Sequence, residues 1–62
     1  MSRKPPSHYE RLAEDAQQNK MWKEAAEHWR DAASASLGHN RRDRYHKIAD
    51  WCEQQAIEQG VK

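Results

Sequence analysis

The sequence has no phenylalanine, one cysteine, and only two glycines and two prolines among its 62 residues. The lone Cys52 excludes an internal disulfide framework and a zinc site built on several cysteines. No apolar run approaches the roughly 20 residues of a membrane span, and no apolar segment follows the charged start as it would in a signal peptide. An unpaired thiol is typical of a reducing compartment, so we expect a cytoplasmic protein that does not enter a membrane.

Charge is nearly balanced, with eleven basic and ten acidic residues and a net charge of +1. This balance does not indicate a non-specific nucleic-acid coat or a membrane-surface peptide. A chain this short has little room to enclose a pocket of a few hundred Å³, so we expect neither an enzyme nor a small-molecule substrate or cofactor. The four histidines lack the i, i+4 spacing of ligands on one helix, and we expect no metal.

The pattern of apolar residues predicts an all-α protein. Residues 1–6 are predicted to be a disordered basic tail, and residues 7–60 a single helical domain. Three segments have apolar residues at helical spacing, and short connections between them predict three helices that fold back on one another. Large apolar side chains are few, so a lone chain would be marginally stable. We therefore expect homodimerisation to complete the fold.

The first predicted helix begins at Ser7, whose hydroxyl can accept from the amide of Glu10 while the Glu10 carboxylate reaches back to the Ser7 amide. Asn19 is the expected left-handed residue that closes this helix. Its apolar stripe consists of Tyr9, Leu12, Ala13 and Ala16.

The second predicted helix spans about residues 21–37 and ends at Gly38 in a left-handed conformation. Its stripe combines two tryptophans with alanine pairs, which allow a neighbouring helix to approach closely. The third predicted helix is capped by Asn40 and ends at Gly60. The apolar faces of these two helices also include Leu37, Ala49 and Ala56. The expected core or dimer-interface residues of the three helices are Tyr9, Leu12, Trp22, Ala25, Ala26, Trp29, Ala32, Ala33, Tyr45, Ile48 and Cys52.

Two features of the third helix are candidates for partner binding. Trp51 lies on the flank of the apolar stripe, and tryptophan is enriched at interaction hot spots. It either contacts a second chain or packs on its own core. A basic cluster, which opposes the dipole at the start of the helix, is either solvated or faces an acidic protein or DNA. The cluster consists of Arg41, Arg42, Arg44 and Lys47.

The chain contains the spacing Tyr9-x-x-Leu12-Ala13-x-x-Ala16, then Trp22-x-x-Ala25-Ala26-x-x-Trp29-x-x-Ala32, then Asn40 and the pair Trp51-Cys52. This arrangement resembles the ANR family, small negative regulators of AraC-type transcriptional activators in enteric bacteria, their plasmids and phages. The resemblance implies a repressor that acts by protein–protein contact, binding an AraC-type activator and also the nucleoid protein H-NS. Two alternatives stay open: a phage or plasmid regulator that binds DNA directly through Arg41–Lys47, and a phage-encoded inhibitor of a host defence protein.

Overall fold

The computed structural model describes residues 4–60, which form three α-helices and no strand. Helix α1 spans Pro6–Gln18, α2 spans Trp22–Ala35 and α3 spans His39–Gly60. The all-α prediction is confirmed. None of these helices combines the length and apolarity needed to cross a membrane. The first three residues of the predicted tail lie outside the described residues, and α1 already includes Pro6.

Helix α1 begins at a pair of prolines, and no side chain caps its first turn. Pro5 is extended, with φ −66° and ψ 157°, and Pro6 occupies the first turn. Proline suits this position because its fixed φ is helical and its missing N–H has no helical acceptor there. No side chain caps this helix end, so the predicted box of Ser7 and Glu10 is wrong.

The connection from α1 to α2 is closed by Lys20, which has a left-handed φ of 59°. The amide of Lys20 donates to the Gln17 carbonyl at 2.9 Å, and the amide of Met21 donates to the Ala16 carbonyl at 2.8 Å. These two bonds form a Schellman motif, in which the left-handed residue follows the C-cap. Asn19 is that C-cap, with φ −91°, so its predicted left-handed role is wrong by one position.

Helix α2 ends before the predicted boundary. Ser36 is extended, with φ −85° and ψ 138°, and the chain leaves the helix there. Leu37 is therefore 97% exposed, and its predicted place on the buried stripe is wrong. Gly38 has no positive φ, so it is not a left-handed helix end.

Helix α3 begins at His39, so Asn40 lies inside the first turn and is not the N-cap. The amide of Arg42 donates to the Gly38 carbonyl at 3.0 Å, which starts the helical ladder at the glycine. Helix α3 continues through Gly60, its predicted end, which is also the last residue that the structure describes.

Helix α2 lies in the middle of the fold and packs against both α1 and α3. Seven of the ten core residues are alanines, which bring the helices close together. Leu12 is 40% exposed and lies outside the core of the single chain, because Ala13 and Ala16 turn toward α2 instead. The core consists of Ala13, Ala16, Ala25, Ala26, Trp29, Ala32, Ala33, Tyr45, Ala49 and Cys52, with Tyr9, Trp22 and Ile48 partly buried against it.

Candidate partner-binding surface

Two stacked aromatic rings join the three helices. Trp29 of α2 and Tyr45 of α3 lie with ring centroids 5.8 Å apart and planes inclined by 26°. The Trp29 Nε1–H donates to Gln17 Oε1 at 2.8 Å, and the Tyr45 hydroxyl donates to Glu10 Oε2 at 3.0 Å. Burial raises the pKa of Tyr45, and the hydrogen bond to the Glu10 carboxylate raises this pKa further. Helix α1 is thus tied through two polar side chains to the aromatic pair.

An open groove runs between α1 and α3 beside this aromatic pair. Two adjoining depressions share Trp29 and Ile48 in their linings, which makes the groove continuous. One wall, from α1, is acidic and amide-rich, while the wall from α3 is basic and apolar. We call this feature the α1–α3 groove; its lining residues are Glu10, Glu14, Gln17, Gln18, Trp29, Arg41, Arg44, Tyr45 and Ile48.

Trp51 is half exposed and also contacts the chain's own α2. Its indole meets that of Trp22 edge to face, with centroids 5.3 Å apart and planes at 85°. The exposed fraction of Trp51 is 50%. The alternative that Trp51 packs on its own chain therefore applies in part, and contact of its exposed remainder with a second chain stays a prediction. The indole Nε1–H of Trp22 is buried and has no hydrogen-bond acceptor among residues 4–60.

The basic cluster of α3 is divided by its contacts. Arg42 donates from Nη2 to the Ser36 carbonyl at 3.0 Å, which satisfies a free carbonyl beyond the end of α2. Lys47 pairs with Asp43 one turn earlier at 3.4 Å. Arg41 and Arg44 instead line the α1–α3 groove. Arg42 is thus engaged within the chain, Lys47 stays largely exposed beside Asp43, and Arg41 and Arg44 face the groove.

The opposite flank of α3 carries an ion pair. Arg30 of α2 donates to Glu53 of α3 at 2.6 Å, with both side chains nearly half exposed. The hydrogen bond that Arg30 donates to Glu53, together with the negative charge of that carboxylate, raises the pKa of Arg30. This pair fixes α3 against α2 on the side away from Trp51.

Cys52 is a free thiol that is fully buried on the inner face of α3. Burial raises the pKa of the thiol, which lowers its thiolate fraction and its reactivity. In the part of the chain that the structure describes, no group of three or more histidine, cysteine, aspartate or glutamate side chains could hold a metal ion. The candidate site among the described residues is therefore the surface formed by the groove and the half-exposed Trp51.

Comparison with known proteins identifies no relative: no protein-family model, no curated protein and no solved structure matches the chain. The resemblance to the ANR family stays a prediction that rests on the quoted residues. Seven of the twelve quoted residues are buried in the core, so the quoted pattern largely describes how the helices pack.

Sequence reasoning missed the α1 side of the surface. Glu10, Glu14 and Gln17 follow at i, i+4 and i+7, beside the buried Ala13, and they form one wall of the groove. That spacing was the available signal. Polar residues on an amphipathic helix are usually solvated, however, and nothing in the sequence reveals that Trp29 and Tyr45 donate to two of them.

Proposed function

We propose that the chain is a small regulator that acts by protein–protein contact, binding and inhibiting an AraC-type transcriptional activator. The observation that carries the contact mechanism is the surface formed by the α1–α3 groove and the adjacent half-exposed Trp51. The resemblance to the ANR family is what supports an AraC-type activator, and H-NS as a further partner. The exposed residues give that partner a chemistry.

The surface has the composition of a helix-binding site. Ile48 and Trp51 supply an apolar centre, and tryptophan and arginine are the residues most often responsible for binding energy at interfaces. Arg41 and Arg44 favour carboxylates at one end, while Glu14 on the other wall favours a cation. An amphipathic helix with acidic and basic residues on opposite edges matches this arrangement.

Direct DNA binding gets less support from the placement of the basic residues. Arg42 donates to the Ser36 carbonyl, and the carboxylate of Asp43 lies beside Lys47 and offsets part of its positive charge. Arg41, Arg44 and Lys47 supply at most about three phosphate contacts per chain, which give weak binding to duplex DNA and a salt dependence much shallower than that of proteins with about six to ten contacts. Regulation through Arg41 and Arg44 is therefore better explained by an acidic protein surface.

The test is a reporter under an AraC-type activator, together with binding of the purified activator to the purified chain. The unchanged chain should lower the reporter and bind the activator, whereas R41A/R44A and W51A should lose most of both effects. Arg11 lies exposed on α1 and does not line the groove, so R11A is a matched control that should behave like the unchanged chain.

Three outcomes would overturn the proposal. In the first outcome, the unchanged chain neither lowers the reporter nor binds the activator. The purified chain alone could shift an operator at physiological salt, which would establish the DNA-binding alternative. A loss of phage restriction in the host, with no activator bound, would establish the anti-defence alternative. Purified H-NS, assayed in parallel, tests the second partner.

A further inference from the structure

One side of α3 carries a heptad pattern that is self-complementary. Six residues follow at spacings of three and four, so they form one stripe along the helix. The stripe begins with two cations, has two apolar residues in the middle and ends with an amide and a carboxylate. We call it the α3 stripe; it consists of Arg41, Arg44, Ile48, Trp51, Gln55 and Glu58.

The stripe is accessible along its length. Arg41, Arg44 and Glu58 are exposed, Trp51 is half exposed, and Ile48 is partly buried. Among residues 4–60, the two arginines have no ion pair or side-chain hydrogen bond, and Glu58 accepts only a long bond of 3.4 Å from the neighbouring Gln55. The charges at both ends are therefore available to another chain.

The charges of the stripe are placed against the preference of an isolated helix. A helix is stabilised by acidic residues in its first turn and basic residues in its last turn. Helix α3 has neither: its first turn contains Arg41 and Arg42, and its last turn contains Glu58. This arrangement destabilises α3 in a single chain. An antiparallel copy of α3 offsets the effect, because it places the acidic end of one helix beside the basic end of the other.

We propose that two copies of this chain pair through the α3 stripe in antiparallel orientation, related by a twofold axis at the level of Ile48 and Trp51. Ile48 then packs on Trp51 of the second copy, and Arg44 lies opposite Gln55 of the second copy. Arg41 forms an ion pair with Glu58 of the second copy. Each contact occurs twice, as twofold symmetry requires.

The parallel alternative conflicts with the same charges. In a parallel pair, Arg41 lies opposite Arg41 of the second copy, and Glu58 lies opposite Glu58. Like charges across a helix pair repel, so the charge pattern selects the antiparallel orientation. This inference deepens the proposed function by naming the occupant of the surface when the chain is alone. It does not depend on the activator, and its test uses no activator.

The test is a charge exchange measured by sedimentation equilibrium of the full chain over a range of concentrations. R41E and E58R should each raise the dimer dissociation constant about tenfold or more, because both ion pairs become repulsive. R41E/E58R restores opposite charges with the net charge unchanged, and it should return the constant to within about threefold of the starting value. Circular dichroism should show intact helices throughout, since each single change improves the helix-dipole interaction of α3.

D50R is the matched control, because Asp50 is exposed on α3 away from the stripe. It makes the same charge change as E58R and should leave the dissociation constant unaltered. A second measurement fixes the orientation: R41C/E58C should form a covalent dimer on oxidation, while E58C alone should not. In the antiparallel pair the two residues 58 are 17 positions out of register, about 25 Å apart.

Four results would overturn the inference. They are a chain that stays monomeric at all concentrations, a dimer insensitive to both charge reversals, a double variant that fails to recover, and ready oxidation of E58C alone to a covalent dimer. A monomeric chain, or a dimer insensitive to charge reversal, would not change the result of the activator assay. Failure of the dimer proposal is therefore distinguishable from failure of the proposed function.

Discussion

Truncation of Trp29 to alanine should remove the main large side chain of the core. Trp29 exposes only 4% of its surface, stacks on Tyr45 and donates to Gln17. A buried tryptophan buries up to about 250 Å² of surface, and W29A removes roughly 150 Å² of that buried area. At 25 cal/mol per Å² this lowers the free energy of unfolding by about 4 kcal/mol. Domains of this length have a total of about 3–9 kcal/mol.

W29A should therefore melt about 15–30 °C lower than the unchanged chain, or be unfolded at 25 °C. W51A is the matched comparison, because Trp51 is 50% exposed and loses about half as much buried surface. It should cost under about 2 kcal/mol. Thermal melting followed by circular dichroism, at one low chain concentration, gives both values. Equal losses for the two variants would show that Trp51 is as much a core residue as Trp29, and would refute the distinction drawn from their exposure.

Three further predictions concern titration, reactivity and the α2–α3 ion pair. Burial raises the pKa of Tyr45 above its ordinary 10.0, so the contribution of the neutral hydroxyl to the free energy of unfolding is complete below that pH and is lost as the pH rises. Y45F should therefore flatten the fall of the unfolding free energy above about pH 10. Below that pH it should cost about 1 kcal/mol, because the hydrogen bond to Glu10 is lost. An unchanged pH slope would contradict this. Cys52 should react with a thiol reagent only as fast as the chain unfolds, and rapid native-state labelling would show that it is not buried. R30A should cost under about 1 kcal/mol by urea unfolding, and less at high salt, because its pair with Glu53 is half exposed.

The faces of the helices were predictable from spacing alone. The alanines at 25, 26, 32 and 33, together with Trp29, recur with the helical period, and all five are buried. The helix ends were less predictable, because several local signals compete there. Pro5 is the N-cap of α1, two residues before the serine cap that the sequence favours. Leu37 matches the period of α2, but the chain turns extended at Ser36 and leaves it in solvent.

The candidate surface was predictable only on its α3 side. Trp51 was identified by its flank position, and its 50% exposure agrees with that geometry. The α1 wall depends on how two helices separated by α2 come together, and the period of one helix does not contain that information. The hydrogen bond from Tyr45 to Glu10 spans 35 positions. The division of the basic cluster likewise depends on Arg42 reaching the carbonyl of Ser36, which is a contact between a helix start and the preceding turn.

The alanine-rich core makes the protein's tolerance to substitution one-sided. Where seven of ten core positions carry only a methyl group, almost any replacement other than glycine or serine adds volume between helices that already touch. Over-packing costs about 1–3 kcal/mol per site, which is a large part of what so short a chain possesses. Sequence drift in this fold is therefore directed outward: the interior stays small while the exposed edges of α1 and α3 are free to change. New binding specificities can then arise on the groove walls without any change to the packing beneath them.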